Sequence, residues 1–236
     1  PISNYWVHCG LVKVNGQKMS KSLNNGILLQ DVLAQYDADV IRFALLNNMY
    51  SNDIDITDTF FPNAMRHVYK MYSVINTARA RDYADANADK TATMTQQITD
   101  EFRAAMDDNF NTYGVIVAAF KWFDFVSAEL AKKHTEYDLA AIVNKIVELF
   151  GVLNILQRDA AQYIADARQC ASFHFCDCVL TQNNISADEI QAKIDARAAA
   201  KAARDYATAD AIRGELMARG IALMDSPNGT TWDIAM

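Results

Sequence analysis

Helix breakers are scarce in this chain: three prolines and eight glycines in 236 residues, with alanine-rich stretches recurring between them. Inside a helix, proline is about 3 kcal/mol and glycine about 1 kcal/mol worse than alanine, so their rarity favours helix over sheet. The apolar spacing agrees. Val68, Met71, Tyr72 and Ile75 share one face of a run over 65–80, and Ile98, Phe102 and Ala105 share a face over 95–106. Val115, Ala119, Trp122, Phe123 and Val126 do the same over 112–131, and 139–156 completes the set. Polar 81–93 and Asp107-Asp108-Asn109 interrupt the pattern. Four or five helices with short connections predict an antiparallel bundle over 61–160.

The two ends follow other rules. Leu11-Val12-Lys13-Val14 alternates and then meets Asn15-Gly16, a strong hairpin signal. The chain returns through Gln17-Lys18-Met19 into a polar, Asn-rich stretch ending at Gly26. Short helices are predicted after Asp31, with Val32, Leu33 and Tyr36 on one face, and after Asp37, with Val40, Ile41, Ala44 and Leu45. The stretch 52–59 reads as extended or turn-like. Near the other end, Ser186-Ala187-Asp188-Glu189 has the form of a capping box before Ile190. A helix to about Ala203 follows, with Ile190, Ile194 and Ala198 inward. Arg204-Asp205-Tyr206 makes a turn, 207–219 a second helix, and Gly220 its stop. Ile221 to Met224 is strand-like, Asp225 to Gly229 a turn, and Thr230-Thr231-Trp232 pairs back. The predicted fold is mainly α: residues 1–60 with a hairpin and short helices, 61–160 the bundle, 161–185 a connector, and 186–236 a small α+β domain.

The net charge of −7 argues against broad, non-specific nucleic-acid binding but leaves room for a local site. Residues 1–30 hold no Asp or Glu, yet Lys13, Lys18 and Lys21 fall there. No apolar run approaches a membrane span. Four unevenly placed cysteines suit a reducing, cytoplasmic setting. The chain opens at Pro1, and Tyr5-Trp6-Val7 already resembles core sequence, so a fragment is expected. Cys170, His174, Cys176 and Cys178 raise the idea of zinc, but their spacing fits no standard knuckle and Phe173, Phe175 and Val179 interleave. Buried small side chains are the simpler reading, and no metal is assigned to this chain.

The most specific string is Lys18-Met19-Ser20-Lys21-Ser22: two lysines with small hydroxyl residues, on a loop flanked by asparagine and glycine. It matches the KMSKS signature of class I aminoacyl-tRNA synthetases at every position. In adenylate formation a carboxylate attacks the α-phosphate of ATP and pyrophosphate leaves. Cations placed to meet the charge that builds on those oxygens accelerate the step more than they aid ground-state binding. A solvated basic turn is the usual fate of two nearby lysines, but five consecutive matches between a hairpin and a helix argue against it here.

The flanks narrow the resemblance to cysteinyl-tRNA synthetases. Tyr5-Trp6-Val7-His8 and Gly10-Leu11-Val12 are similar to the family's approach to the loop. Asp31-Val32-Leu33, Tyr36-Asp37-Ala38 and Val40-Ile41-Arg42-Phe43 are similar to its following helices, and 106–112 to its bundle motif. Asp205-Tyr206, Ala209-Asp210, Ile212-Arg213, Gly220-Ile221 and Asp225 to Trp232 resemble its small C-terminal domain. The resemblance implies that residues 1–60 are the end of a class I catalytic domain, in which Lys21, supported by Lys18, binds ATP with Ser20 and Ser22, with Mg2+ accompanying the nucleotide. It also implies that Lys201, Arg204, Tyr206, Asp210, Arg213, Asp225 and Trp232 face cysteine tRNA, where loop bases are read by stacking and edge hydrogen bonds. Asp210 and Asp225 would accept from base edges, Lys201 would donate, and Trp232 would stack or plug the core. Cys9 stands where the family usually has Asn, Asn24 where it has Gly, and Asp233-Ile234 where basic residues are common.

The family's His-Ile-Gly-His motif, the zinc ligands that select a thiol, and hence the cysteine site belong to an N-terminal half not found in this sequence. The expectation is the C-terminal part of a cysteine–tRNA ligase, inactive alone. The competing readings are a non-catalytic tRNA-binding module and a ligase joining cysteine to a glucosaminyl-inositol. The second lacks an anticodon-reading unit, so residues 186–232 argue against it.

Overall fold

The structure is a computed structural model and describes residues 2–169, 185–203, 205–219, 221–226 and 229–234, which fall into two compact units divided between residues 173 and 174. The chain is mainly α, as its scarcity of breakers implies.

The first unit opens with a hairpin. Strands β1 (Val12–Val14) and β2 (Gln17–Lys18) pair antiparallel, with Lys13 opposite Lys18. Asn15 (φ 49°) and Gly16 (φ 78°) both take positive φ, as a type I′ turn demands. Strand β3 (Ile54–Ile56) runs parallel to β1, Val12 opposite Ile54, giving the order β2-β1-β3. Two carboxylates fasten this sheet: Asp53 accepts from the Leu11 amide at 2.8 Å and Asp55 from the Gly16 amide at 2.9 Å. Gly10 donates its amide to the Tyr50 carbonyl, and a Cβ there would lie 2.0 Å from the Asn52 oxygen, so no side chain fits.

Helices α1 (Leu29–Leu33) and α2 (Ala38–Leu46) follow; Asp37 caps α2 by accepting from the Asp39 amide at 2.9 Å. The bundle is α3 (Phe60–Arg79), α4 (Ala88–Asp107), α5 (Thr112–Leu130), α6 (Leu139–Phe150) and α7 (Ala160–Gln169). Asn87, Asn111 and Asp138 cap α4, α5 and α6. Helix α3 packs on α2, α5, α6 and α7, and α4 on α5 and α6. The faces expected from periodicity are buried: Val68, Met71, Tyr72 and Ile75 are at most 2% exposed, and Val115, Ala119 and Val126 fully buried.

Three boundaries differ from the expectation. Helix α4 begins at Ala88, well before 95, because its polar first turns satisfy themselves. The Thr91, Thr93 and Thr99 hydroxyls donate to carbonyls four residues back, at 2.8–3.0 Å. Helix α6 ends at Phe150 instead of 156. A 3-10 turn follows, and Asn154 (φ 52°) and Leu156 (φ 62°) sit in the left-handed region. The stretch read as a connector from 161 starts as helix α7. A buried polar knot explains both changes. Asp39, 5% exposed, accepts from the Tyr72 hydroxyl at 2.6 Å and the Leu156 amide at 2.9 Å. Tyr72 stacks on Tyr163 of α7 with centroids 3.9 Å apart, and Arg158 bridges Asp37 and Asp166. Such a contact, made across 117 residues of sequence, leaves no local trace.

The second unit is α8 (Ala187–Ala202), α9 (Tyr206–Ala218) and a hairpin of β4 (Ile221–Ser226) and β5 (Gly229–Ile234), with Leu223 opposite Trp232 and Asp225 opposite Thr230. Ile185, Ile190, Ile194, Leu216, Ile221 and Leu223 form its core, with Ile212 and Trp232 packed against them. Ser186 caps α8 by accepting from the Glu189 amide, but the Glu189 carboxylate turns to Arg219 at 2.9 Å, so the capping box is half used. The third inward position of α8 is Arg197, 3% exposed, while Ala198 is exposed. Positions 190, 194 and 197 follow i, i+4, i+7. Arg204, Gly220 and the Cys170–Cys178 cluster lie outside the described residues.

Candidate functional site

The hairpin delivers Lys18 to the end of β2, and the Met19 amide still donates to Val12 at 3.0 Å. The chain then swings out, and one side chain closes the swing. Asn25 accepts from the Ser20 amide at 2.9 Å and donates to the Lys18 carbonyl at 3.3 Å. Inside the loop, the Ser20 hydroxyl accepts from the Leu23 amide and lies 3.2 Å from that of Ser22, and the Asn24 amide donates to Lys21. Asn24 has φ 48°, so the position where the resemblance places glycine keeps a left-handed backbone, which asparagine tolerates better than most residues.

The three lysines of the basic island have different fates. Lys13 is tied to Asp53 at 2.8 Å; their hydrogen bond raises the Lys13 pKa and holds Asp53 below its ordinary value. Lys18 and Lys21 are exposed, and among the described residues neither is in an ion pair. Of the three cations in this island, one is committed to an ion pair and two are not, among the described residues. Tyr5, Trp6 and Val7, expected as core, are 88%, 73% and 65% exposed; nothing among the described residues packs on them.

In the small unit, Asp225 is the centre. Arg197 grips it with both terminal nitrogens, at 2.8 and 2.9 Å, the Thr230 hydroxyl donates at 2.7 Å, and the Lys201 ammonium at 3.1 Å. Four donors fill the four lone-pair sites of one carboxylate. They hold its pKa far below the usual carboxylate range, Arg197 most of all. The charge of Asp210 also acts on Arg197, so Lys201, Asp210 and Asp225 share one neighbourhood. Tyr206 is in the first turn of α9, not in the turn before it, and is 63% exposed; Asp205 caps the helix by accepting from Thr208. Arg213 is exposed on the same helix. Trp232 is half-buried against the Leu223 core.

Sequence reading missed Asn25, Thr230 and Arg197. Arg197 had a visible signal, since an arginine on the apolar face of a helix requires an anion; the neighbouring alanines concealed which positions formed that face. No group of three or more His, Cys, Asp or Glu side chains that could hold a metal ion gathers among the described residues. No described helix is long and apolar enough to cross a membrane.

Comparison with known proteins covers the stretches that hold the lysine loop and Asp225. Residues 1–66 match the catalytic domain of class I (C) tRNA synthetases, so the lysine loop lies in a class I aminoacyl-tRNA synthetase domain. Residues 187–232 match the cysteinyl-tRNA ligase anticodon-binding domain. The cysteine–tRNA ligase of Anaeromyxobacter dehalogenans strain 2CP-1 is 35% identical over 98% of this chain and 47% of its own length. That of Laribacter hongkongensis strain HLHK9 is 36% identical over 97% and 44%. Over nearly all of its length the chain is similar to the C-terminal part of cysteine–tRNA ligases, and it spans a little under half the length of these relatives. A solved complex of an Agrobacterium radiobacter K84 LeuRS with tRNA and LeuAMS aligns with TM-score 0.49 and 20% identity over 69% of this chain and 22% of that one, too slight a likeness to argue from.

Proposed function

We propose that this chain supplies the ATP-phosphate loop and the tRNA-holding domains of a cytoplasmic cysteine–tRNA ligase, with cysteine, its zinc and the rest of the ATP site provided by an N-terminal half. The observation that carries the reading is the pair of exposed lysines, 18 and 21, which have no counter-ion among the described residues, on a loop held by Asn25. A loop meant only for solubility needs no such clasp.

Lys21 at the loop's outer turn meets the charge that grows on the α-phosphate and departing pyrophosphate, and Lys18 at its base supports it. The Ser20 and Ser22 hydroxyls, 3.2 Å apart, can turn as donors toward phosphate oxygens. Magnesium, bound with ATP, neutralises part of the triphosphate charge. The closure of the loop by Asn25 fixes backbone at Lys18 and Ser20 while residues 21–24 stay exposed, which suits a segment that tightens as charge develops.

In the small unit, Tyr206 offers an exposed ring for stacking on an anticodon base, and Lys201 and Asp225 offer a donor and an acceptor side by side to a base edge. Asp210 and Arg213 on α9, with Arg204, complete the RNA-facing set; Trp232 contributes from the core side. In isolation the chain is expected to make no aminoacyl-adenylate.

The test is Lys21→Ala in the complete enzyme. ATP–pyrophosphate exchange should fall in rate far more than in ATP affinity. A loss confined to ATP affinity would contradict the role in the transition state.

A further inference from the structure

Asp225 is the acceptor that the proposed function assigns to a base edge, yet every one of its acceptor positions is already taken. The four bonds are not equal. Arg197 is 3% exposed and binds through two parallel bonds, a geometry that fixes direction as well as distance. Thr230 is the direct cross-strand partner of Asp225, so its bond is built into the hairpin register. Lys201 makes a single, longer bond on the exposed side, where it and Asp225 are each 41% exposed. Only that bond can be exchanged without unpacking the unit.

We infer that Arg197 is a positioning residue for anticodon recognition: buried beneath the surface, it aims Asp225 outward and holds it beside Lys201 as a preset donor–acceptor pair. The inference rests on the anticodon-reading function proposed above for this unit. A base bringing a donor takes the position of the Lys201 ammonium on Asp225, and the released ammonium turns to an acceptor on the same base or to a phosphate. Arg197 touches no RNA. Its own Nε is buried without a hydrogen-bond partner, so the guanidinium accepts an unsatisfied donor to keep its fork on Asp225. A side chain serving only to fill the core would be apolar here, as Ile190 and Ile194 are on the same face.

The experiment measures binding of this full chain to a cysteine-tRNA transcript and to transcripts with each anticodon base replaced in turn. The proteins compared are wild type, Arg197→Met, Arg197→Lys, Asp225→Ala and the Arg197→Met/Asp225→Ala pair. In Arg197→Met, cognate affinity should fall about tenfold or more, while binding to one of the replaced transcripts stays unchanged, so that discrimination at that base is lost. Arg197→Lys, which keeps charge but not the fork, should recover only part of the discrimination. The double variant should lose no more than Asp225→Ala alone. Backbone amide spectra of the Ile190–Leu223 core report whether each variant is folded; should Arg197→Met unfold, Arg197→Lys carries the decision. Full discrimination in a folded Arg197 variant, or equal loss on all transcripts, overturns the inference. Wild type that does not distinguish the transcripts overturns instead the anticodon reading on which it rests.

Discussion

The lysine loop and the Asp225 cluster both concentrate charge, and they treat it in opposite ways. Lys18 and Lys21 stand exposed and, among the described residues, without ion pairs, and the hydrogen bonds around them involve backbone, serine and Asn25. Asp225 is saturated by four donor atoms, two of them from a buried arginine. A group that must meet transient charge gains most from having no ground-state partner, because any existing ion pair has to be broken before it can act. A group that must recognise a fixed pattern gains from being held in advance, because ordering it on binding would cost affinity. Lys13 is the internal control. Nearest to the loop in sequence, it is spent on Asp53 and the sheet.

The largest effect should come from removing loop charge. Lys21→Ala in the complete enzyme is expected to slow adenylate formation by about a hundredfold, with stability unchanged. Lys13→Ala removes an equal charge nearby and should cost the rate little, because its ammonium is already neutralised. If the two variants slow adenylation alike, the distinction between free and committed lysines is wrong and the loop acts only as a diffuse positive field.

In the small unit the same operation should damage the fold. Asp225→Ala leaves the Arg197 guanidinium buried without its anion and should lower the stability of this unit by about 2–4 kcal/mol in urea unfolding. Charging of cysteine tRNA falls as well, while ATP–pyrophosphate exchange in the complete enzyme holds. Lys201→Ala, on the exposed side, should alter stability by about 0.5 kcal/mol or less. Equal destabilisation by both would mean that Asp225 is not anchored from beneath.

Tyr206 and Trp232 divide along the same line. Tyr206, 63% exposed at the start of α9, should lose about tenfold in tRNA affinity on change to Ala, with little effect on stability. Trp232, packed against the core opposite Leu223, should behave in reverse, costing about 2 kcal/mol of stability. Chemical unfolding and tRNA binding measured on both variants separate the roles; a Trp232 variant that keeps its stability but loses tRNA would return the stacking role to that ring.

The helical bundle was legible because its cause is periodic: Val68, Met71, Tyr72 and Ile75 announce a buried face wherever they occur. The lysine loop was legible because its chemistry is compressed into five adjacent residues behind an Asn-Gly turn. Features depending on distant pairings were not. Three residues of β3 carry no strand signal strong enough to reveal a parallel partner forty residues earlier. The Asp39–Tyr72–Leu156 knot assembles groups from three separate segments. Arg197 falls between these cases. Its helical phase was readable, but alanines on either side made an arginine look like the exposed member of the turn.

Acid titration is the mildest test, and it acts with opposite sign on one carboxylate in each unit. Bonds from Arg197, Thr230 and Lys201 depress the Asp225 pKa below its ordinary 3.8. The stability it contributes is therefore present above about pH 4 and is lost as pH falls through the folded-state value. Asp39 has the opposite sign: burial raises its carboxyl above 3.8, against hydrogen bonds from Tyr72 and Leu156 that oppose the rise. Its contribution is fullest below 3.8 and is lost as pH climbs through the raised value. Amide exchange followed separately in the Ile190–Leu223 core and in the α3–α6 core should show Asp225→Asn flattening the acid loss of the small unit. Asp39→Asn should flatten a gain on acidification in the bundle. Asp205 and Glu215 are also depressed in the small unit, and Asp53 and Glu129 in the first unit, so the comparison is of each variant with its parent, not of one unit with the other. An Asp225→Asn chain whose small unit still weakens in acid as the parent does would mean that the carboxylate's charge, as distinct from its shape, does nothing to hold the hairpin.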